Sequence, residues 1–269
     1  ELAEEMARLE SLDQIDWLSA APLRQRLLRS LFDRLDQSGD SGAAFARYAA
    51  EAPPLLRAHA TFEVLHAAEL ARDPSLRSWR DWQAGYRDPD SPQVAAFAKA
   101  HAGDIHYQLF LQWLTSLSYG DAQRACLEAG MAVGLIADLA IGMDGAGSHA
   151  WSRQDEILHG LSIGAPPDYY APNGQNWALT TFSPRGLAAS GYSPFIETLR
   201  ASLRHVGGIR IDHVMGMSRL WLIPEGAGSL DGAYVSFPSE TLFRLIALES
   251  WRHHAIVIGE DLGTLPYGF

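Results

Sequence analysis

Asp212 and Glu260 are the residues whose setting points most directly to chemistry. Asp212 closes the run Gly208-Ile209-Arg210-Ile211-Asp212, and Glu260 closes Ile256-Val257-Ile258-Gly259-Glu260. A short apolar run ending in a charged residue is the pattern of a buried parallel strand that delivers a side chain at its C-terminal tip. Barrels of the α/β class place their reactive groups at such tips. Two carboxyl groups brought to one rim are the minimum needed to cleave a glycosidic bond. Alternation along a strand puts Arg210 and Asp212 on one face, and Ile211 and His213 on the other. The adjacent guanidinium favours an ionised Asp212, as a nucleophile requires. Glu260 has no cation beside it in sequence and follows an apolar run, a less polar setting that suits a proton donor. Asp261 competes for that role, but alternation turns it to the opposite face, where it could bond loop backbone before Gly263. Taken singly, either acid reads more simply as half of an ion pair at a strand end.

Other constellations are absent from the sequence. The ten histidines are scattered, and His253-His254 falls at a helix end, where the dipole favours a cation. No His/Cys/Asp cluster has metal spacing, so no catalytic metal is expected. There is no GxSxG elbow. The Gly-rich stretch 142–150 reads as loop but lacks the spacing of a phosphate cradle. The single cysteine, Cys126, lies in an apolar helical pattern and reads as a small buried hydrophobe rather than a nucleophile.

Composition sets outer limits. The 269 residues are 47% apolar and 20% charged, as in a packed globular protein. A net charge of −11 with one lysine, Lys99, argues against a nucleic-acid partner, which needs clustered cations. A neutral polar ligand such as a sugar is compatible with this balance. One cysteine permits no intrachain disulfide and leans toward a reducing, cytoplasmic setting. No apolar stretch reaches ~18 residues, so no membrane span is expected. The opening Glu1-Leu2-Ala3-Glu4-Glu5 does not resemble a signal peptide. A start without Met, and a stop at Phe269 just after a reactive strand, suggest an internal piece of a longer protein.

The elements that must position the acids follow from periodicity. Residues 1–130 read as mainly helical. Leu23, Leu27, Leu28, Leu31, Phe32 and Leu35 form one stripe, Leu55 to Leu70 a second, and Asp104 to Gly130 the longest. Trp79 and Trp82 lie in a more polar segment ending in Asp88-Pro89-Asp90-Ser91-Pro92, a turn into another helix, and read as core contacts. After residue 130 the pattern changes. Strands are expected at 132–138, 208–213 and 255–260, with helices at Ser193–His205 and Ser239–His253, the latter buried. Strand, helix and strand between 208 and 260 make a βαβ unit. Long irregular loops are expected from Gly160 to Gly191 and from Met215 to Val235.

Four blocks occur here in one order: Gly164-Ala165-Pro166-Pro167-Asp168, Gly174-Gln175-Asn176-Trp177, Arg210-Ile211-Asp212-His213 and Gly259-Glu260-Asp261-Leu262-Gly263-Thr264. With Arg219–Pro224, Gly232–Val235 and Ala247–Ser250 between them, the chain resembles the 4-alpha-glucanotransferases, also called amylomaltases or disproportionating enzymes. The likeness is strong over 130–269. Residues 1–130 resemble the helical insertions of the bacterial enzymes, less specifically.

That resemblance implies an α/β fold: part of a (β/α)8 TIM barrel of the alpha-amylase type, with a large helical insertion subdomain. Residues 1–130 would be the insertion and 131–269 the central part of the barrel. It implies a retaining transfer of α-1,4-glucan segments between maltodextrins, without an obligatory cofactor. Asp212 matches the nucleophile and Glu260 the acid/base. Arg210, His213, Gln175 and Trp177 match substrate contacts, and Asp168 lies in the same motif-rich loop. An alpha-amylase-like hydrolase and an inactive glucan-binding barrel are the alternatives. Two departures stand out. Ala178-Leu179-Thr180-Thr181 follows Trp177 where the family usually has a Gly and prolines. The family's third acid, in a Thr-His-Asp segment on a later strand, has no counterpart in this chain. Three strands cannot close a barrel and would leave their outer edges unpaired.

Overall fold

The computed structural model describes residues 2–262, 265 and 267–269. Gly263 and Thr264, the end of the fourth motif, lie outside the described residues. Residues 2–128 form helices α1 (Leu2–Glu10), α2 (Trp17–Asp33), α3 (Asp40–Glu51), α4 (Pro54–Arg72), α5 (Ala84–Arg87), α6 (Pro92–Ala100) and α7 (Ala102–Glu128). Their starts follow local chemistry. The Asp16 carboxylate accepts from Ser19 N–H at the head of α2, and Ser91 Oγ accepts from Val94 N–H just before Pro92 opens α6. Gly130, at φ +88°, ends α7 as its spacing predicts. Met131 N–H reaches Cys126 O and Gly130 N–H reaches Leu127 O, the paired bonds of a Schellman cap. Cys126 on α7 is half-buried rather than fully inside.

The helices pack in two aromatic clusters. Phe45, Tyr107, Phe110 and Trp113 are buried together, with Phe45 5.5 Å from both the Phe110 and Trp113 rings. Phe62, Leu65, Trp79, Trp82 and Val94 form the second, so both tryptophans are core residues as expected. Trp151 also belongs to this cluster, although it lies beyond the first strand on α8 (Ser148–Ser152). Its indole is 1% exposed, and Nε1–H donates to Tyr86 O at 2.9 Å. The helical half and the strand-bearing half therefore share a core.

The second half carries two sheets. The parallel sheet has the order β1 (Ile136–Leu139), β4 (Gly208–Ile211), β7 (Ile256–Gly259). The first strand begins four residues later than the apolar run implied, because Ala132 to Leu135 are spent on the turn out of α7. An antiparallel sheet has the order β3 (Gln175–Leu179), β2 (Leu161–Ala165), β5 (Arg219–Pro224), β6 (Ala233–Ser236). It corrects both expected loops: 160–191 contains β2, β3 and α9 (Pro184–Ala189), and 215–235 contains β5 and most of β6. Its small core is Ile163, Leu220 and Leu222. The expected βαβ unit is present, with α11 (Ser239–His253) crossing between parallel β4 and β7.

One face of the parallel sheet packs and the other stays open. Ile209 and Ile211 are fully buried with Phe195, Leu199 and Leu203 of α10 (Ser193–Leu203) and Leu242 and Ile246 of α11. The opposite face runs in layers set by the register. Ile136, Gly208 and Ile256 align at the base, and Asp138, Arg210 and Ile258 above them. Gly208 makes room: a Cβ there would lie 2.6 Å from Ile256 Cγ1. α11 is less buried than its sequence implied. Phe243, Leu248 and Trp251 are exposed, because only one side of the helix meets this core.

Glu249 ties α10 to α11. Its side chain is 1% exposed and accepts a two-pronged bond from Arg200 (3.0 and 3.0 Å) and another from Arg252 (2.8 Å). The Arg200 bond, with Arg252 assisting, holds the Glu249 carboxyl below its usual range. The stabilisation is thus complete above the ordinary carboxyl pKa and is lost as pH falls through the lowered one. Glu249→Gln is expected to reduce stability by about 1.5–3 kcal/mol at neutral pH, measured by chemical denaturation, since charge-assisted bonds carry that much. The gap to the unmodified protein should close in acid.

Candidate active site

The C-terminal ends of β1, β4 and β7 carry three acids, two of them bonded to one guanidinium. Arg210 stands in register with Asp138. Its Nη1–H groups donate to Asp138 Oδ1 (2.7 Å) and Oδ2 (2.9 Å), and Nη2–H donates to Asp212 Oδ1 at 2.7 Å. The bond to Asp138, with a lesser one to Asp212, raises the Arg210 pKa further above its already high value, so the group is a permanent cation. All three side chains are open to solvent on the unpacked face, at 38% exposure for Arg210, 65% for Asp138 and 52% for Asp212. Ion pairs this exposed add little to stability. Their effect is orientation, because a planar guanidinium holds each carboxylate in a defined direction.

Asp212 follows the last residue of β4, and its N–H donates to Leu139 O at 2.9 Å, continuing the ladder to β1. Arg210 and Asp212 therefore share the open face, as alternation implied. Alternation stops at His213, which adopts a left-handed turn (φ 49°, ψ 56°). Its ring meets Trp177 edge to face, with centroids 5.2 Å apart. Burial lowers the His213 pKa, and Glu260 and then Asp212 work against that shift. The imidazole is thus biased toward its neutral form, able both to donate and to accept.

Glu260 follows β7. Its Oε2 accepts from His213 N–H at 2.8 Å, and its Oε1 accepts from Leu262 N–H. The setting differs from the apolar one expected, because peptide N–H groups meet both carboxylate oxygens. The sequence could not show this: the donors come from a turn 47 residues upstream and from the residue two places on. Asp261 is exposed and remains apart from this cluster's hydrogen bonds among the described residues.

The antiparallel sheet supplies the side wall. Trp177 and Gln175 project from β3, and Trp177 Nε1–H donates to Gln175 Oε1 at 2.9 Å. The structure thus brings Gln175, Trp177 and His213 into one chain of contacts beside the acids. Asp168 is held differently. Its Oδ1 accepts from Tyr170 N–H (2.8 Å) and Ala171 N–H (2.6 Å), which shapes its own loop between β2 and β3. Tyr169 and Tyr170 in that loop project into solvent.

Asp138 is the site residue the sequence reading did not name. The signal was present, since Met131–Asp138 is an apolar run ending in an acid. What was hidden is the strand pairing that makes it a partner of Arg210. The departure at Ala178 also has a structural account. Ala178 sits at φ 56°, the left-handed region that glycine adopts freely, and its N–H donates to Asn176 Oδ1 at 2.9 Å. A β-bulge falls beside it in the β2–β3 pairing.

The family model described as 4-alpha-glucanotransferase matches residues 1–269. The chain is 36% identical to the 4-alpha-glucanotransferase of Haemophilus influenzae over 97% of its own length and 38% of the relative's. It is 38% identical to that of Mycobacterium bovis over 95% of its own length and 34% of the relative's. The chain thus spans little more than a third of the length of these two relatives. Among solved structures, amylomaltase from Corynebacterium glutamicum superposes with a TM-score of 0.74 at 32% identity, covering 91% of this chain and 32% of that one. Amylomaltase from Streptococcus agalactiae in complex with acarbose gives 0.79 at 16% identity, covering 94% and 51%, a likeness of fold alone.

Ala178→Gly tests the loop account. Relief of left-handed strain, about 1–2 kcal/mol, outweighs the added freedom of the unfolded chain, about 0.4–1 kcal/mol. A net stabilisation of roughly 0.5–1 kcal/mol is expected in thermal or denaturant unfolding. With a full-length family match and the acids and guanidinium on adjacent strand tips, the chain belongs to the 4-alpha-glucanotransferase family.

Proposed function

We propose that this chain is the central part of a 4-alpha-glucanotransferase that moves α-1,4-glucan segments between maltodextrins with retention of configuration. Residues 1–130 are its helical insertion subdomain, and 131–269 contribute the middle strands of a (β/α)8 barrel of the alpha-amylase type. The observation that carries the reading is Arg210 holding Asp138 and Asp212 at the tips of paired parallel strands, with Glu260 fixed on the next tip. Family membership over the whole length supports it.

In this mechanism Asp212 attacks the anomeric carbon while Glu260 protonates the departing glycosidic oxygen. A glucan is left covalently bound to Asp212. Glu260 then removes the proton from the 4-hydroxyl of an acceptor glucan, whose oxygen displaces Asp212 and restores the original configuration. Arg210 fixes the direction of the attacking carboxylate. Trp177 offers an indole face for sugar stacking, and Gln175 and the neutral His213 offer hydrogen bonds to hydroxyls. Asp168 shapes the loop that borders them. Transfer exceeds hydrolysis when the acceptor is positioned and water is excluded. The mechanism calls for no metal or cofactor. No described helix is long and apolar enough to cross a membrane. A cytoplasmic site of action fits the single cysteine and the maltodextrin substrate.

Four outcomes test the reading. Maltotriose given to the full-length protein should yield glucose together with chains longer than maltotriose; glucose and maltose alone would indicate hydrolysis. Asp212→Asn should lower the transfer rate by about 10⁴-fold or more, as loss of a nucleophile does. Retention also sets the two catalytic carboxyl groups about 5–5.5 Å apart in a substrate-bound crystal structure. Residues 1–269 expressed alone should show no measurable disproportionation, because three parallel strands leave the rim incomplete.

A further inference from the structure

The tips of β4 and β7 are joined by main-chain groups. Glu260 N–H donates to Ile211 O at 2.9 Å, Val214 N–H donates to Glu260 O at 2.9 Å, and His213 N–H donates to Glu260 Oε2 at 2.8 Å. These bonds fix both the backbone and the carboxylate of Glu260 against the residues that flank Asp212.

The arrangement has two requirements. The first is the left-handed turn at His213. With it, the successive N–H groups of residues 213 and 214 both face β7, one meeting the Glu260 carboxylate and the other its carbonyl. Successive peptide N–H groups converging in this way form a concavity that suits an anion. The second is the absence of a side chain at residue 259. A Cβ there would lie 2.9 to 3.1 Å from Val214 Cγ1, Cβ and Cγ2, so β7 could not approach the turn this closely.

We propose that the His213 main-chain turn and Gly259 together are the positioning device for the acid/base, setting Glu260 relative to Asp212. The proposal rests on the reading of Glu260 given above and goes beyond it. The imidazole is incidental to this task; only the N–H of residue 213 and its left-handed backbone matter. Histidine tolerates that region better than most residues, as asparagine does, glycine enters it freely, and a β-branched residue is strongly disfavoured there.

The test is a series in the full-length protein: His213→Gly, His213→Asn, His213→Ala and His213→Val. All four lack the imidazole, so loss of its sugar contact is common to them and their differences report the turn. The expected kcat for maltotriose disproportionation is highest for the glycine and asparagine variants, lower for alanine and lowest for valine. The span should be about tenfold or more, since small misplacements of a catalytic group cost that much. With maltotriosyl fluoride, whose leaving group departs without protonation, the span should collapse in the first turnover. Gly259→Ala should behave the same way, slow on maltotriose and little affected on the fluoride. Crystal structures should retain the bond from residue 213 N–H to Glu260 Oε2 in the glycine variant and lack it in the valine variant; alanine serves if valine prevents folding. Equal kcat across the series, an equal span on the fluoride, or a bond retained in the valine variant would overturn the proposal. If instead Glu260→Gln kept full activity, the acid/base reading would fall, and the crystal structures would still decide whether the turn holds Glu260.

Discussion

One guanidinium organises this site. Arg210 lies at the middle of the parallel sheet and bonds the carboxylates of Asp138 and Asp212. It can do so only because β4 pairs with β1 in a register that aligns Arg210 with Asp138. A slip of one residue would turn Arg210 toward the helices and bring Ile209 or Ile211 to the open face. That register is secured on the other side of the sheet, where both isoleucines are fully buried against α10 and α11. The two faces of β4 therefore divide the labour. The packed face supplies the free energy, and the open face, whose ion pairs are too exposed to stabilise much, supplies direction.

The same economy governs what surrounds the acids. Glycine at 208 admits Ile256 at the base of the open face, and glycine at 259, in register with Ile211 on the packed face, admits Val214. The helices that cover the packed face are themselves locked together by the buried Glu249 with Arg200 and Arg252. The antiparallel sheet contributes an aromatic wall rather than charge, with Trp177 edge-on to His213. The helical half is joined to this unit through Trp151, which leaves the neighbourhood of β1 to fill the core beneath Trp79 and Trp82.

Much of this was legible in the sequence because it is local. The stripe of apolar residues through α7, the glycine that ends it, and the acids that close β4 and β7 are all patterns within a few residues. The antiparallel sheet was not legible. Its strands are four to six residues long and contain or border Gly164, Gly174 and Pro224, so loop signals dominate the segments that hold them. Pairing is equally invisible: nothing near Asp138 announces that Arg210 will be its partner 72 residues away. Main-chain donors are hidden for a deeper reason. Glu260 is met by peptide N–H groups that every residue carries, so the side-chain sequence holds no trace of them. Ala178 is the converse case, a side chain whose departure from the family pattern marks a backbone position that glycine would occupy without strain.

Asp212, aimed by Arg210, is on this mechanism the nucleophile that carries the glucan as a covalent ester. That role is tested most directly by trapping the covalent species. The full-length Glu260→Gln protein, given maltotriosyl fluoride, can be glycosylated without an acid but lacks the base that activates an acceptor. Digestion and mass spectrometry should then find one glucan chain on the peptide containing Asp212, attached through its carboxylate. A label on Asp138, or steady release of products with no labelled peptide at Asp212, would rule out Asp212 as the nucleophile.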